Sequence, residues 1–287
     1  MVELTVRPSG PYSLGLSARL AGDATRRFRD GIVTARCAGG VAHARQEPDG
    51  TIAIRASSEE AAAKLRWMLA VDDDHSEFLR RFAADALLGR SVRVLRGLRQ
   101  VRTATAAHAL LRAVCGQLVD WKTARTLERR VIRTLASRDG SVEVTGTGLW
   151  EPPSTAALAA VAPFELRRIG LHERRAAALV RVCRSLDLEQ LHARPTAAVV
   201  ARISRERGLG PWSAGVFCLE GLGRNDHGLV GDLGLVKLLR ALRGRPVEGW
   251  ETAELLEPYG EWAGLASVYL LAGLARGLLP LGARRAA

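Results

Sequence analysis

Helical periodicity runs through most of this chain and restricts its fold more than any other feature. From about residue 76 onward, apolar residues recur at helical spacing, and no strand pattern interrupts them. Short breaks rich in Gly and Pro separate the segments, and no fixed-length repeat relates them. The pattern therefore indicates a helical globule and argues against Rossmann and P-loop enzymes. It predicts helices over Ser76–Ala84, Ala106–Val119, Lys122–Ala136, Ser154–Val161, Glu173–Leu186, Thr196–Arg205, Pro211–Glu220, Leu233–Leu242 and Glu261–Ala275.

The first 70 residues follow a different pattern. The segments ELTVRP and TIAIRA alternate apolar and polar residues at strand period, and IVTAR is a third candidate strand. The segment SSEEAAAKLRWML then begins with a capping box, Ser57 with Glu60, in front of an amphipathic helix. We therefore predict a small α+β domain with an antiparallel sheet that ends near residue 70.

The chain is strongly basic. Its 42 Lys and Arg residues exceed its 30 Asp and Glu residues, which leaves a formal charge of +12 over 287 residues. Such a surplus suits a polyanion, because each neutralised phosphate releases counterions. An arginine-rich composition from a GC-rich genome would produce the same surplus, so charge alone leaves a nucleic-acid partner open.

The cysteines and the termini indicate a soluble cytoplasmic protein. Cys37, Cys115, Cys183 and Cys218 lie far apart, so they predict neither a local zinc or iron–sulfur site nor a disulfide framework. The segment MVELTVRPSG lacks the pattern of a signal peptide. The most hydrophobic run, Gly264–Ala275, is shorter than the roughly 20 residues that a membrane span needs.

The segment RERGLGPWSAG predicts a tight hairpin between two helices. Gly208 and Gly210 flank Leu209, and Pro211 stands where the first turn of a helix favours proline. Free amides at the start of the second helix, with no Cβ in the way, can hold a DNA phosphate. A plain glycine cap between two helices would have the same residues, so the hairpin alone decides nothing.

An aspartate follows the hairpin at a short distance in the sequence. Asp232 lies directly before an apolar helix and 232 − 210 = 22 residues after Gly210. Alone it would be interpreted as an N-cap. However, the order of hairpin, helix, loop and aspartate resembles the helix-hairpin-helix DNA glycosylase superfamily. The segments LLRAVCGQLVDWKTARTLERRV and FELRRIGLHERRAAALVRVCRSL fit the same family. With its N-terminal α+β domain, the whole chain resembles the alkyladenine branch of that family, bacterial 3-methyladenine DNA glycosylase II.

This resemblance implies an α+β but mostly helical fold, in which two helical subdomains flank a cleft beside the N-terminal sheet domain. The implied boundaries are 1–70 for the sheet domain, 71–104 with 226–287 for the subdomain that carries the aspartate, and 105–225 for the subdomain with the hairpin. The family roles that carry over are a catalytic carboxylate, a base pocket, a wedge that fills the gap of the flipped base, and a phosphate contact. By this resemblance, Asp232 is the catalytic carboxylate, and Trp212, Trp262 and Gln117 form the base pocket. Leu118 is the wedge, and Gly208 and Gly210 contact the phosphate.

The resemblance also implies the chemistry. Lyase-type relatives carry an imine-forming lysine where this chain has Trp212, so we expect a monofunctional enzyme. Two tryptophans suit cationic bases such as 3-methyladenine and 7-methylguanine. The expected partner is damaged double-stranded DNA, bound by a monomer at the nucleoid. No cofactor or metal is expected, apart from a monovalent cation that could sit at the hairpin–phosphate contact.

Four positions depart from the family pattern. Arg207 replaces a proline that often precedes the hairpin, and Ala263 replaces an arginine that commonly follows the pocket tryptophan. Val216 and Leu233 stand where relatives can have aromatic pocket residues. Two alternatives therefore stay open: a glycosylase for a different damaged base, and a non-catalytic helix-hairpin-helix DNA-binding protein, which would not require Asp232. A basic scaffold without a DNA role fits the hairpin poorly.

Overall fold

The computed structural model describes residues 1–138, 143 and 147–281. The predicted segments 105–225 and 226–287 therefore contain a few residues outside the described ones. A five-stranded antiparallel sheet forms the N-terminal part, together with helix α1 (Leu14–Ala18) and helix α2 (Glu59–Met68). The strands are β1 (Val2–Val6), β2 (Arg26–Arg29), β3 (Ile32–Cys37), β4 (Gly40–Gln46) and β5 (Ile52–Ala56). Their order in the sheet is β1-β5-β4-β3-β2.

The sheet confirms the predicted fold class and adds two strands that the pattern missed. Strand β2 has the sequence RRFR and strand β4 the sequence GVAHARQ, so charged residues and glycine hide their alternation. The predicted cap of α2 was wrong by one residue. Ser58, and not Ser57, accepts the hydrogen bond from Ala61 N, while Ser57 Oγ accepts one from Val41 N on β4. Ser57 therefore belongs to the end of β5, because its hydroxyl and its amide extend the pairing with β4.

Helices make up the rest of the described chain. The helix predicted over Pro211–Glu220 is α-helical only to Val216 and continues as a π-helical segment over Phe217–Gly221. Three short helices, α4 (Gly89–Val94), α8 (Pro163–Ile169) and α13 (Thr252–Leu256), have no counterpart among the predictions. None of the described helices is both long and apolar enough to cross a membrane. The helices are α3 (Ser76–Arg81), α4 (Gly89–Val94), α5 (Ala106–Gly116), α6 (Trp121–Arg138), α7 (Thr155–Ala160), α8 (Pro163–Ile169), α9 (Glu173–Ser185), α10 (Thr196–Ser204), α11 (Pro211–Val216), α12 (Leu233–Arg243), α13 (Thr252–Leu256) and α14 (Ala263–Ala275).

Three clusters of buried apolar side chains stabilise the fold. One lies between the sheet and α2, a second joins α5 and α6 to α7, α9 and α10, and a third joins α3 and α4 to α12 and α14. Helix α5 and the α11–π helix contribute to both helical clusters: Ala113, Val216 and Leu219 face the third cluster. These helices therefore form the seam between the two halves. The clusters support the three-part division of the chain, whose boundaries stay a prediction.

Candidate active site

A cleft of about 1050 Å³ opens along this seam. Its lining brings together six of the seven predicted site residues, which come from three segments spread over 115 residues of sequence (232 − 117). The exception is Trp262. The six are Gln117, Leu118, Gly208, Gly210, Trp212 and Asp232.

The hairpin has the backbone that its glycines predict. Gly208 has a φ of +98°, a left-handed conformation that side chains rarely adopt, and Gly210 is the N-cap residue of α11 with a φ of −91°. A Cβ added at either glycine would meet no atom within 4 Å. Pro211 occupies the first turn of α11, as expected. The first-turn amides of a helix have no intrahelical acceptor, so this surface can approach a phosphate closely.

The loop after α5 is tied to the hairpin and presents a leucine. Gln117 Nε2 donates to Gly208 O at 2.6 Å and to Ser213 Oγ at 2.9 Å, which links the loop to both sides of the hairpin turn. The next residue, Leu118, has a φ of +55° and is 83% exposed. An exposed apolar side chain on a strained backbone costs stability and gains nothing inside the free protein, which indicates a function.

The two oxygens of Asp232 have different partners. Oδ1 caps α12, where it accepts from Gly234 N at 2.7 Å and from Leu235 N at 3.4 Å. Oδ2 accepts from Trp212 Nε1 at 3.0 Å. Asp232 is therefore both an N-cap and a cleft residue, and the indole orients its carboxylate. Gly116 lets the indole lie against α5, because a Cβ there would lie 2.8 Å from Cη2 of Trp212.

Known proteins share this fold. No protein-family model matches the chain. A DNA-3-methyladenine glycosylase of Bacillus subtilis strain 168 is 25% identical over 220 residues, which are 74% of this chain and 71% of that relative. The 3-methyladenine DNA glycosylase of Archaeoglobus fulgidus superposes with a TM-score of 0.76 at 18% identity, over 94% of this chain and 97% of that one. A Clostridium acetobutylicum 8-oxoguanine glycosylase/lyase bound to DNA superposes with a TM-score of 0.78 at 16% identity, over 96% and 98%.

The chain is therefore similar in sequence to a DNA-3-methyladenine glycosylase and shares the fold of the superposed DNA glycosylases. The structural likeness at this low identity concerns the fold, so the individual residues have to be assessed from the geometry of this chain.

The structure does not bring Trp262 to the lining of the cleft. Its ring packs beside Phe78, with the centroids 5.8 Å apart, and beside His75 at 6.2 Å, in the third apolar cluster. Its Nε1 is buried and has no hydrogen-bond partner among the described residues. The pairing of Trp262 with Trp212 that the resemblance implies is therefore absent from the described cleft.

Two tryptophans that the sequence reasoning passed over line the cleft instead. Trp121, the first residue of α6, is 66% exposed, and Trp250, in a short 3₁₀ turn over Gly249–Glu251, is 67% exposed. Trp121 lies three residues after the predicted wedge Leu118, which is a signal that the sequence carries. Nothing in the sequence near Trp250 indicates its place, because the fold alone puts its turn against the loop before Asp232.

A groove leads inward from the mouth of the cleft. Its floor is α5 with Gly116 and Arg112, one wall is α6, and the other wall is the α11–π helix with Trp212, Val216 and Glu220. In an α-helix, residues four apart drift by about 40° around the axis. The wider π-turn counteracts the drift beyond Val216 and keeps Glu220 on the groove side.

A buried ion cluster lies at the inner end of this groove. The cluster consists of Arg112, Arg125, Glu128 and Glu220. Arg112 donates from Nε to Glu128 Oε1 at 3.0 Å and from Nη1 to Glu220 Oε2 at 2.7 Å. Its third partner is Asp23, from the loop before β2. Asp23 therefore connects the sheet domain to the floor of the cleft.

The charges of this cluster compensate one another. Burial raises the pKa of Asp23, but the guanidinium groups of Arg26 and Arg112 outweigh burial and hold that pKa well below its usual range. Burial likewise opposes ionisation of Glu128, yet Arg112 lowers the pKa of Glu128 to about 2. Asp23, Glu128 and His108 lie close enough to share a metal ion, with ligand atoms within 4.8 Å of one another. Arg112 already contacts both carboxylates, so a guanidinium neutralises them.

Proposed function

We propose that this protein is a monofunctional DNA glycosylase that flips a damaged base out of double-stranded DNA and hydrolyses its glycosidic bond in base excision repair. Its proposed substrates are alkylated purines of the 3-methyladenine and 7-methylguanine type. One observation carries the proposal: the Asp232 carboxylate, oriented by Trp212, lies in one cleft with the exposed Leu118 and the hairpin of Gly208 and Gly210.

Different residues of the cleft contribute to different steps in the extrusion of the base. Taking a base out of the stack costs roughly a few kcal/mol. Leu118 is positioned to fill the gap that the base leaves, while the hairpin glycines approach the phosphate backbone without sequence preference. Because Gln117 links the two elements by hydrogen bonds, contact with the backbone and insertion of the wedge occur in a fixed mutual geometry.

Asp232 supplies the chemistry. Cleavage of the glycosidic bond builds positive charge on the sugar, and a fixed carboxylate stabilises that charge. The partners of Asp232 are backbone amides and an indole N–H, all neutral donors. None of these donors carries a positive charge that would compete with the sugar cation for the carboxylate, which can also orient the attacking water.

Trp212 argues against lyase chemistry, because an indole cannot form an imine with the sugar. One lysine, Lys237 on α12, lies elsewhere in the lining of the cleft. We expect intact abasic strands as product and no covalent adduct after borohydride treatment. Any adduct of the wild type would overturn the assignment as monofunctional, and loss of that adduct in Lys237→Ala would identify Lys237 as the nucleophile.

The preference for cationic bases follows from the aromatic faces at the mouth. A cationic purine over the indole of Trp212 or Trp121 gains about 0.5–2 kcal/mol. The name of the Bacillus subtilis relative agrees with this substrate class. A cationic base also leaves without a general acid, so neutral hypoxanthine and uracil should be released more slowly in single-turnover assays on matched duplexes.

The remaining features are those of a nucleoid enzyme. We propose that the protein acts as a cytoplasmic monomer, without a cofactor or a metal, apart from a monovalent cation between hairpin and phosphate. Its net charge of +12 supports binding to DNA and predicts that affinity falls steeply with salt concentration.

The deciding experiment is release of bases from methylated DNA by the wild type, Asp232→Asn and Asp226→Asn. Asp226 is an exposed acid of the same loop outside the cleft, so its variant is the matched control. We expect excision to fall by orders of magnitude in Asp232→Asn alone, with unchanged affinity for lesion DNA. If thermal melting shows that Asp232→Asn loses its fold and not only its activity, Asp232 serves only as a helix cap.

A further inference from the structure

We propose that the inner end of the cleft recognises the Watson–Crick edge of the extruded base and selects guanine-type bases, with Glu220 as the specificity-determining residue. This inference rests on the proposed function and narrows its substrate class. Within the proposed substrate class, the guanine-type lesion is 7-methylguanine, which keeps the ring N1–H and the exocyclic amine of guanine.

The groove controls how a base can enter. Trp212 contacts Asp232 at the mouth and starts the wall that continues through Val216 to Glu220, and Trp121 starts the wall formed by α6. A flat base that stacks against these walls points one edge inward. The sugar stays near Asp232, so the edge that reaches the inner end lies far from the glycosidic bond. In a purine, that is the Watson–Crick edge.

Glu220 meets this edge as a fixed acceptor. Oε2 accepts from Arg112 Nη1, and no described residue donates to Oε1. The Glu220 side chain is 17% exposed, whereas that of Glu128 in the same cluster is 1% exposed. Glu220 is thus the carboxylate of the cluster that a ligand can reach. A buried ion pair holds it in place, so little entropy is lost when it binds.

A carboxylate distinguishes guanine from adenine by hydrogen-bond polarity. Guanine has two adjacent donors, the ring N1–H and the exocyclic amine, and a carboxylate offers two acceptors and no donor. Adenine has its amine beside the unprotonated N1, so the second oxygen of the carboxylate would face a lone pair. Arg125, whose side chain is 19% exposed at the same end, has donors left for the keto oxygen of guanine.

The test uses one substrate that contains both lesions. Methylated duplex DNA carries 7-methylguanine and 3-methyladenine together, and chromatography of the released bases gives their ratio within a single reaction. We compare the wild type with Glu220→Gln and with Glu165→Gln, which removes a carboxylate that is paired with Arg138 and does not line the cleft. Because every variant acts on the same two bonds, comparing the ratio between variants cancels the intrinsic lability of those bonds.

The amide of Glu220→Gln offers one donor and one acceptor, the pair that complements adenine. We expect the ratio of 7-methylguanine to 3-methyladenine to fall about tenfold or more in Glu220→Gln, because a polar mismatch in a closed site discriminates strongly. Glu165→Gln should keep the ratio of the wild type. An unchanged ratio in folded Glu220→Gln overturns the inference but leaves the glycosylase proposal standing. If the wild type releases neither base, the proposed function fails, and this inference with it.

A second measurement needs no variant and applies if Glu220→Gln does not fold. Free guanine and free adenine are added to the wild-type reaction as product inhibitors. Guanine should inhibit at a concentration at least several-fold lower than adenine. Equal inhibition by both bases contradicts selection at the inner end.

Discussion

Leu118 shows how a single residue can be unfavourable for the free protein and useful in a complex. Its left-handed backbone costs about 1–2 kcal/mol, and its side chain packs against little. We predict that Leu118→Gly melts at the same or a slightly higher temperature than the wild type. Excision should nevertheless fall about tenfold or more, because the gap left by the flipped base stays empty. Thermal melting tests the predicted stability, and single-turnover assays test the predicted loss of excision. Full activity of Leu118→Gly would contradict the role of Leu118 as a wedge.

Trp212 has two functions that one substitution separates. Trp212→Phe keeps an aromatic ring at the mouth and removes the Nε1–H donor to Asp232 Oδ2. A hydrogen bond to a charged group contributes about 1.5–3 kcal/mol, so we predict a decrease in excision of roughly 10- to 100-fold. Affinity for undamaged DNA, measured by fluorescence anisotropy, should not change. An equal rate in Trp212→Phe would show that the indole does not position the carboxylate.

The hairpin between α10 and α11 offers a matched pair of glycine variants. Gly210 has a φ of −91° and open space around its missing Cβ, so Gly210→Ala should fold with wild-type stability. Gly208→Ala has equal space but forces a φ of +98° on an alanine and should lose about 1 kcal/mol. We predict that both variants bind all DNA sequences more weakly, because the added methyl group blocks the phosphate. Unchanged affinity in Gly210→Ala would make the hairpin a structural turn only.

The buried ion cluster makes the stability of the whole protein depend on pH. Glu128 has a pKa lowered to about 2, against an unfolded value near 4, because Arg112 offsets the effect of burial. A depressed carboxyl pKa stabilises the folded state above the unfolded value, and this contribution disappears as the pH falls through the folded value. We predict a loss on the order of 3 kcal/mol from Glu128 between pH 4.5 and 2.

Urea unfolding at a series of pH values measures this loss. Since other carboxylates titrate in the same range, the informative quantity is the difference between the wild type and Glu128→Gln. That difference should shrink as the pH falls from about 4.5 toward 2. A constant difference would show that the ion cluster does not account for the acid sensitivity.

Local pattern in the sequence determined the helical class, the hairpin and the aspartate that follows it. Helical periodicity and glycine turns are local properties, so Gly208, Gly210 and Pro211 could be placed without the fold. The spacing from the hairpin to Asp232 carried the family resemblance, and with it Gln117 and Leu118. The sequence pattern did not predict strands β2 and β4, because pairing with neighbouring strands, and not the alternation of residues, holds RRFR and GVAHARQ in the sheet.

Only the tertiary structure decided which side chains share the cleft. Trp262 and Trp250 lie twelve residues apart in sequence, yet the first is half-buried beside Phe78 and the second is exposed at the mouth. The inner end likewise depends on contacts between distant segments, because Asp23 reaches Arg112 from the sheet domain. A π-turn keeps Glu220 on the groove side. Burial and long-range ion pairs depend on the whole fold, and no local pattern in the sequence contains them.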